Sequence, residues 1–313
     1  MNDAVVTIFG GGGFVGRYTV QTLLAEGARV RIAQRDPSGA WYLKPLGGLG
    51  QTQFVAADVR RRDSVERAVA GADVVINLVG VLNGDFDAFH VQGARHVAEA
   101  AAATGVKTLV HVSAIGADAE SPSRYGRSKA QGEHAVRAAF PGATILRPSL
   151  VFGREDGFTN RFARMLRFPI VPVMRGGTKF QPVFVADLAQ AIVEAVAKPQ
   201  AHAGRTYEIG GPEQISMRET LQRLADWTGR APHFVELPDA IGQSIARFGG
   251  WAPGAPITWD QWLMLQRDNI VAPGSDGLRA LGITATPMAA VVPSWLVQYR
   301  KQGRFGGVKT VAG

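Results

Sequence analysis

The first half of the chain alternates short apolar runs with amphipathic segments. We interpret as β-strands the runs near Val5–Phe9, Arg29–Ala33, Gln53–Ala56, Val74–Val79, Thr108–Ser113 and Ala143–Arg147. Helical periodicity predicts helices over Arg17–Glu26, Ser64–Ala70, Val91–Thr104 and Lys129–Ala139. Most of the runs are continuously apolar, as strands of a parallel sheet covered on both faces are. The alternation therefore predicts an α/β fold with a Rossmann-type doubly wound parallel sheet and right-handed crossovers.

Three glycines follow the first strand with the spacing G-x-x-G-x-x-G. They are Gly10, Gly13 and Gly16, and a helical pattern begins directly after them. Gly10 allows a tight turn, Gly13 lets phosphates approach the backbone, and Gly16 lets the helix pack closely on the strand. The helix N-terminus then offers free N–H groups and a positive dipole to a pyrophosphate. This motif predicts a dinucleotide site and indicates nicotinamide chemistry.

The pattern becomes less regular after Pro148, which sets the predicted domain boundaries. We expect an NADP-binding Rossmann domain over residues 1–151, with residues 180–212 returning to the sheet. Residues 152–313 are predicted to form mainly a smaller C-terminal lobe for substrate or docking. We expect the last residues, 303–313, to be a flexible tail.

Two features of the second half predict local structure. A helix is expected to begin after Ser216, with Glu219 three residues later completing a capping box. The stretch from Leu237 to Asn269 contains Trp251, Trp259 and Trp262 among glycines and prolines. We interpret this stretch as a small second core, with a mobile cap or a docking surface as the alternative.

A tyrosine and a lysine at helical spacing suggest proton transfer. Ser113 ends the fifth predicted strand, and Tyr125 and Lys129 follow as Y-x-x-x-K. Residues four positions apart share one face of a helix. An ammonium group beside a phenol favours the phenolate, so we expect Lys129 to lower the pKa of Tyr125. Tyr125 could then exchange a proton with a carbonyl or alcohol, and Ser113 could hydrogen-bond the same oxygen.

The end of the second strand decides between NADP(H) and NAD(H). Arg35 is well placed to bind a 2′-phosphate, and Arg17 follows the last glycine of the motif. Asp36 lies at the usual distance for an acid that binds the ribose 2′-hydroxyl, which would favour NAD(H). Because Asp36 precedes a proline, it can instead begin a turn. We favour NADP(H), with NAD(H) as the alternative.

Composition narrows the classes of partner and compartment. The 313 residues carry a net charge of +8 and include no cysteine, which excludes disulfides, thiolate metal sites and cysteine nucleophiles. No metal site is predicted. The charge is compatible with arginine usage alone, an anionic cofactor or an anionic membrane surface, and the scattered arginines argue against nucleic-acid binding.

The chain shows no export signal, and its longest apolar run is too short to span a bilayer. We expect a cytoplasmic protein, with peripheral association at the inner face of the plasma membrane as an alternative.

These motifs together resemble the short-chain dehydrogenase/reductase superfamily, in its extended or atypical, epimerase/dehydratase-like branch. The resemblance rests on the glycine turn, Asp58, Ser113, the Y-x-x-x-K, Arg147–Pro148 and Val151-Phe-Gly. More narrowly, the chain resembles the family of accessory alpha-subcomplex subunit nine of respiratory complex I and its bacterial relatives. The segments that carry this resemblance are VVINLVG, SRYGRSKAQGE, VFGREDGFTNRFA, QPVFVADLAQAI and LGITATPM.

The resemblance implies a role for individual residues. It assigns the acid/base role to Tyr125, the contact with the nicotinamide ribose to Lys129 and the substrate-orienting role to Ser113. The residues that it implies at the cofactor are Gly10, Gly13, Phe14, Val15 and Gly16 at the pyrophosphate, Asp58 and Val59 at the adenine, and Leu78, Val79, Gly80, Pro148 and Leu150 at the nicotinamide.

The chain also departs from the extended enzymes. His90 replaces the asparagine that supports their proton relay, and the segment between Ser113 and Tyr125 is about half as long as theirs. Ala114 stands where the sugar dehydratases carry a catalytic acid.

Two functions remain open. One is an NAD(P)-dependent oxidoreductase or epimerase acting on a carbonyl, alcohol or quinone-like substrate; the other is a non-catalytic, NADPH-holding accessory or assembly protein of complex I.

Overall fold

The computed structural model describes Met1, residues 3–252, residues 255–301 and Gly303. The strands are β1 (Val5–Phe9), β2 (Arg29–Gln34), β3 (Thr52–Ala56), β4 (Val74–Asn77), β5 (Thr108–Val112), β6 (Thr144–Pro148), β7 (Val151–Phe152), β8 (Ile170–Met174), β9 (Lys179–Phe180), β10 (Val183–Phe184), β11 (Thr206–Ile209), β12 (Ile215–Ser216) and β13 (His233–Leu237). The α-helices are α1 (Phe14–Ala25), α2 (Arg62–Val69), α3 (Gly93–Ala103), α4 (Arg124–Ala139), α5 (Gly157–Met165), α6 (Val185–Ala197), α7 (Pro199–His202), α8 (Met217–Thr228), α9 (Asp239–Ser244), α10 (Trp259–Met264) and α11 (Met288–Leu296). The predicted tail lies, except for Gly303, outside the described residues.

The chain divides into two compact units. The first contains Met1–Ser149, Val185–Gly210 and Val271–Thr284, and the second contains the rest. The sequence predicts 271–284 in the second lobe. These residues belong to the first unit because Glu208 on β11 holds them: its carboxylate accepts from the Ala272 N–H, and its own N–H donates to the Asp276 carbonyl.

A seven-stranded parallel sheet forms the centre of the first unit. Its strand order is β11-β6-β5-β4-β1-β2-β3, and every neighbouring pair is parallel. The α/β, Rossmann-type prediction is confirmed. The order reverses between β1 and β4, so the loops that follow these strands diverge to opposite faces of the sheet. Open α/β sheets bind their ligands in the crevice at this point, beyond the carboxyl ends of the strands.

Helix α4 begins five residues before the predicted position. Ser123 caps it, because the Ser123 hydroxyl accepts a hydrogen bond from the Gly126 N–H at 2.9 Å. This cap places Tyr125 in the first turn of α4 and Lys129 in the second. Another difference precedes α3, where residues Asp87–Gln92 form a π-helical turn instead of ordinary loop or α-helix. Such turns are rare and occur frequently at functional sites.

The sheet is covered on both faces by helices. All residues of β4 are buried, as its continuous apolar run predicts. On one face, Val65 and Val69 of α2 and Val97 and Ala101 of α3 pack in a single core with Leu109 of β5. On the other face, α1 packs against α6.

The second unit contains three two-stranded pairings and a helical core. Strands β7 and β10 are parallel, β8 and β13 are parallel, and β9 and β12 are antiparallel. The capping box predicted for α8 is present: the Ser216 hydroxyl accepts from the Glu219 N–H, and the Glu219 carboxylate accepts from the Ser216 N–H.

The tryptophan-containing stretch combines a small core with an exposed aromatic. Trp262 on α10 is buried against Ala246 and Ile257, which supports the second-core interpretation. Trp251, in contrast, is 82% exposed. The interpretation therefore holds for part of the stretch and does not extend to Trp251.

Substituting Gly16 by alanine tests the packing of α1 on the β1 turn. A Cβ at Gly16 would lie 2.6 Å from the carbonyl carbon of Gly11, whereas a Cβ at Gly157 meets no atom within 4 Å. We expect Gly16→Ala to lower the free energy of unfolding by about 2 kcal/mol, as overpacking does. The control Gly157→Ala should change it by less than about 0.5 kcal/mol. Urea denaturation followed by circular dichroism measures both, and equal effects would contradict the close approach.

Candidate functional site

The turn between β1 and α1 has the geometry of a phosphate-binding loop. Gly10 has φ +81°, in the left-handed region that favours glycine. The Gly13 N–H donates to the Gly10 carbonyl at 3.0 Å, and Gly13 is the N-cap of α1. Because Gly13 has no side chain to cap the helix, the first N–H groups of α1 are available to an anionic ligand.

A cavity of about 360 Å³ opens at this turn. It lies at the carboxyl ends of β1, β2, β3 and β4, where the strand order reverses. The structure places these sequence-predicted cofactor residues around it: Gly10, Gly13, Phe14, Val15, Gly16, Arg35, Asp58, Val59, Leu78, Val79 and Gly80. Its lining also includes residues that the sequence analysis missed, namely Phe9, Ala33, Gln34, Ala57, Val81 and Phe89. Phe89 lies 12 residues beyond β4, and no motif marked it.

The cavity suits the adenosine and pyrophosphate part of a dinucleotide. Its volume falls in the range of small-molecule sites, and its walls are mostly apolar with few polar groups. A Cβ on Gly13 would meet only the Gly10 carbonyl oxygen, at 3.2 Å. Gly13 is therefore not required by close packing within the protein, and its bare backbone leaves space on the cavity side. The residues present fit a nicotinamide dinucleotide.

Of the two arginines predicted at the cofactor, Arg35 is among the residues that line the cavity and Arg17 is not. Arg35 lines the cavity, lies 5.6 Å from the centroid of the Phe89 ring, and forms no salt bridge among the described residues. Arg17 lies 4.8 Å from the centroid of the Tyr42 ring, and the Tyr42 hydroxyl donates to the Gly12 carbonyl. Arg35 therefore presents a positive charge at the cavity, where it also helps to lower the pKa of Asp58.

Asp36 is engaged in a local cap. Its carboxylate accepts hydrogen bonds from the Ser38 N–H at 3.0 Å and from the Ser38 hydroxyl at 2.6 Å. These bonds lower the pKa of Asp36 and begin the 3₁₀ segment Pro37–Leu46. The turn-starting interpretation of Asp36 thus agrees with the structure. The side chain at the end of β2 is instead Gln34, whose amide oxygen accepts from the Gly12 N–H.

Asp58 is paired with a neighbouring arginine. Arg60 donates to both carboxylate oxygens of Asp58, with the shortest distance 2.6 Å, and its backbone N–H donates as well. The hydrogen bond from Arg60 lowers the pKa of Asp58. Asp58 is therefore a fixed anion at the cavity wall, and Val59 beside it is buried. The sequence analysis did not anticipate this pair.

Ser113 is a buried hydroxyl without a hydrogen-bond partner among the described residues. It follows β5 and is 4% exposed. Its own N–H donates to the Leu146 carbonyl, which fixes the backbone and leaves the hydroxyl as the unsatisfied group. Such groups are rare in folded proteins and commonly mark a site that a ligand or water completes.

Lys129 lies close to Ser113 and to the cavity wall. Its ammonium group donates to the carbonyl of Val112, the residue before Ser113, at 2.9 Å. A Cβ on Gly80 would lie 4.0 Å from the same ammonium nitrogen. Burial lowers the pKa of Lys129 to about 8, while the carboxylate of Glu133 opposes the shift. The lysine is thus brought to the carboxyl ends of β4 and β5.

The predicted lowering of the Tyr125 pKa is wrong in direction, because burial outweighs any effect of Lys129. Burial raises the pKa of Tyr125 to about 12. The Tyr125 ring is enclosed by Phe86, at 6.0 Å between ring centroids, and by His90, at 5.4 Å, both edge to face. Removal of water from around the phenol penalises the phenolate, so Tyr125 is protonated at neutral pH.

His90, which replaces the asparagine of the extended enzymes, is a buried neutral group. Burial, and then the positive charge of Lys129, lower its pKa to about 3. On β5, His111 has its pKa lowered in the same way, and its Nδ1 lies 3.2 Å from the Asn77 amide nitrogen. The sequence analysis noted His90 as a departure and missed His111 and Asn77.

The remaining predicted residues lie farther along the chain. Pro148 ends β6, is buried, and accepts a hydrogen bond from the Ile115 N–H through its carbonyl. Leu150 belongs to the second unit, where it packs against the cluster that contains Val173, Phe180 and Leu221. Neither residue is among those lining the cavity of the first unit.

Comparison with known proteins identifies the family. The sequence profile described as "NAD dependent epimerase/dehydratase family" matches residues 6–210, which is more than half of the chain. This chain belongs to that family. The assignment agrees with the glycine turn, the parallel sheet and the cavity, and it makes a nicotinamide dinucleotide the cofactor class expected of the fold.

Two curated proteins are similar in sequence to this chain over most of its length. The mouse mitochondrial protein "NADH dehydrogenase [ubiquinone] 1 alpha subcomplex subunit 9" is 37% identical over 296 residues, covering 92% of this chain and 78% of that protein. The ceramide reductase of Caulobacter vibrioides is 31% identical over 241 residues, covering 75% of this chain and 74% of that protein. The family resemblance stated above is therefore confirmed.

Solved structures support the fold. The NADPH-dependent quinone oxidoreductase QOR2 of Escherichia coli, complexed with NADPH, matches with a TM-score of 0.75 at 19% identity, covering 93% of this chain and 99% of that one. At this identity the likeness concerns the fold alone. Among the residues that the structure describes, no helix is long and apolar enough to cross a membrane.

The buried histidines predict a dependence of stability on pH. Folding holds His90 and His111 neutral, whereas in the unfolded chain a histidine binds a proton near pH 6.5. Stability is therefore full above about pH 6.5 and falls as the pH drops toward the lowered native values. We expect the free energy of unfolding to fall by about 2–3 kcal/mol between about pH 7.5 and about pH 5.5.

Urea denaturation across this range measures the effect. The variant His90→Asn should reduce the change by about half, because one of the two linked protons is removed. The exposed residue His134 lies on α4, and His134→Gln serves as the control that keeps the wild-type slope. A free energy of unfolding that stays constant across the range would contradict two neutral buried histidines.

Proposed function

We propose that this chain is an NADP(H)-dependent reductase that converts a carbonyl of an apolar substrate to an alcohol. The observation that carries the proposal is the unsatisfied Ser113 hydroxyl, buried beside the carbonyl that Lys129 binds. A hydrogen-bond donor without a partner, a protonated phenol and a buried cation on adjacent elements are the groups that carbonyl reduction requires.

The protonation states favour reduction over oxidation. Bound NADPH would supply a hydride to the carbonyl carbon. Tyr125 donates its phenolic proton to the carbonyl oxygen, and the alcohol and NADP⁺ are the products. Because burial raises the pKa of Tyr125 to about 12, the phenol enters the reaction with its proton in place. Lys129, with a pKa of about 8, is mostly cationic at neutral pH and stabilises the phenolate that the transfer leaves.

The preference for NADP(H) over NAD(H) rests on Arg35. Its guanidinium group lines the cavity and forms no salt bridge among the described residues, while the carboxylate of Asp36 accepts hydrogen bonds from Ser38. A guanidinium group binds a 2′-phosphate well, and an acid at this position would repel it. A lipid carbonyl is the substrate class that the name of the Caulobacter relative supports, and a quinone-like carbonyl is the alternative.

A second function has an observation of its own in its favour. The 37% identity with a complex I subunit, over 92% of this chain, supports an NADPH-holding accessory or assembly role at that complex. In that role the nucleotide stabilises the fold, and the protein associates peripherally with the inner face of the plasma membrane from the cytoplasmic side. An accessory role requires no acceleration of a reaction, whereas a reductase does. Measured turnover of NADPH therefore distinguishes the two functions.

Replacing Arg35 by alanine tests the cofactor preference. We expect Arg35→Ala to weaken NADPH binding about tenfold or more and to leave NADH binding within about twofold, because only NADPH carries the 2′-phosphate. Isothermal titration calorimetry measures both affinities. Arg61→Ala is the matched control, since Arg61 is exposed and paired with Asp63. Equal losses for NADPH and NADH would contradict the assignment of Arg35.

Replacing Tyr125 by phenylalanine tests the reaction. The variant should bind NADPH as the wild type does and lose about 100-fold or more in kcat/KM, because it lacks the donated proton. NADPH oxidation with a panel of long-chain ketones and quinones is the assay. Tyr299→Phe, in the second unit, is the control and should retain activity. A wild type that binds NADPH tightly and oxidises it with no member of the panel favours the accessory role.

A further inference from the structure

His90 lies between the wall of the nucleotide cavity and the helix of the Y-x-x-x-K pair. It is 2% exposed and belongs to the π-helical turn Asp87–Gln92. A Cβ on the cavity residue Gly80 would lie 3.9 Å from His90 Nε2. On the other side, a Cβ on Gly132 of α4 would collide with the His90 carbonyl oxygen, so the absent side chain of Gly132 lets the turn contact the helix. His90 thus lies against both structures, its ring toward Gly80 and its backbone toward α4.

The hydrogen bonds of the ring have only one consistent direction. His90 Nε2 lies 2.9 Å from the Val81 backbone nitrogen, which can only donate, so Nε2 carries the lone pair. The neutral ring must then carry its proton on Nδ1, which lies 2.8 Å from the Ser128 hydroxyl oxygen. The Ser128 hydroxyl in turn donates to the Tyr125 carbonyl at 2.8 Å. An ordered chain therefore runs from Val81 through His90 and Ser128 to the backbone of Tyr125.

Ring packing reinforces this chain. The imidazole stacks on Phe86, with 5.4 Å between centroids and 17° between planes. Its edge-to-face contact with the Tyr125 phenol is nearly perpendicular, at 88°. An asparagine amide could accept from the Val81 N–H, but it is too short to bond Ser128 as well and offers no ring to Phe86. The histidine therefore makes a connection that the shorter residue lacks.

We propose that His90 is a positioning residue, held as the Nδ1–H tautomer, that fixes the Gly80–Val81 wall of the nucleotide cavity to the helix carrying Tyr125 and Lys129. The inference deepens the proposed reductase function and rests on it for its catalytic meaning. The hydrogen-bonded connection itself is a property of the folded chain. Loss of the Val81 hydrogen bond would release the cavity wall and weaken nucleotide binding, whereas loss of the Ser128 hydrogen bond would free the turn from α4 and disturb the orientation of the phenol.

The charged and titratable groups around His90 keep the ring neutral. Lys129 and Tyr125 face it from α4, and on β5 His111 has its own pKa lowered by burial and then by Lys129 and His90. Among these groups only Lys129 is a cation, and it disfavours a second positive charge. A protonated His90 would also lose the hydrogen bond from Val81, because Nε2 could no longer accept. The tautomer is therefore maintained by geometry as well as by charge.

Nitrogen-15 NMR of histidine-labelled protein tests the tautomer directly. The chain contains six histidines, and the resonances lost in His90→Asn assign those of His90. We expect a protonated Nδ1 and an unprotonated Nε2 whose shifts stay constant from about pH 8 to about pH 5. Ser128→Ala should keep this tautomer, because Val81 still donates to Nε2, and should make the Nδ1 proton exchange faster with solvent. An Nε2–H tautomer, or protonation of His90 within this range, would overturn the proposal.

NADPH affinity tests the positioning role. His90→Phe keeps an aromatic ring against Phe86 but leaves the Val81 N–H without an acceptor, so we expect the Kd to rise about tenfold. His90→Asn provides an acceptor and should bind NADPH within about threefold of the wild type. His134→Phe, a solvent-exposed change on α4, should leave the Kd unchanged. Rescue by asparagine separates positioning from general packing, because packing alone would rank phenylalanine above asparagine.

The outcomes also separate this inference from the reductase proposal. A wild type with the expected tautomer and the expected order of Kd values, but without carbonyl reduction, contradicts the reductase function and supports the connection through His90. If His90→Phe binds NADPH as tightly as the wild type, or if His90→Asn binds as weakly as His90→Phe, His90 does not position the cavity wall. Circular dichroism confirms folding for each variant, and where His90→Phe does not fold, the NMR tautomer and the exchange rate in Ser128→Ala decide the question.

Discussion

A buried ammonium group is the constraint on which the rest of the site depends. Lys129 is 4% exposed, and its cation is costly to hold away from water unless hydrogen bonds and a nearby anion compensate. The Val112 carbonyl provides a hydrogen bond, and Glu133 provides the anion. Burial lowers the pKa of the two neighbouring histidines, His90 and His111, and the positive charge of Lys129 lowers it further, so both rings are neutral. Burial and one cation together thereby fix the protonation states of the polar cluster at the end of the sheet.

The sequence predicted the sheet and the glycine turn because both depend on local pattern. Continuous apolar runs can be read directly from the amino-acid sequence, and three glycines at fixed spacing predict a tight turn before a helix. The sign of the Tyr125 pKa shift could not be predicted, because i, i+4 spacing shows a shared helix face and not the enclosure of the phenol by Phe86. The salt bridge of Asp58 to Arg60 and the place of Phe89 in the cavity wall were missed for a similar reason: they depend on side-chain packing that no spacing rule encodes.

The two functions considered for this chain share most of their physical requirements. A nucleotide held for stability and a nucleotide held for hydride transfer both need the glycine turn and Arg35. They differ at Ser113, whose buried hydroxyl has no structural bond to make among the described residues. A purely structural site has no reason to retain an unsatisfied buried donor, since replacement by alanine would remove the desolvation cost. The unsatisfied Ser113 hydroxyl therefore favours a catalytic function. The 37% identity with the complex I subunit favours the accessory role.

Helix α4 is also held on the sheet by charged residues outside the reacting groups. Arg147 on β6 donates two hydrogen bonds to the Glu133 carboxylate, at 2.8 and 2.6 Å, and lies 3.7 Å from the carboxylate of Glu208 on β11. Such a partly buried ion triad contributes little net stability, but removing one member leaves an uncompensated charge. Its geometric consequence is larger: a bidentate arginine fixes the rotation of α4 on the sheet. Because Lys129 lies one turn before Glu133, that rotation also sets the direction of the ammonium group toward Val112.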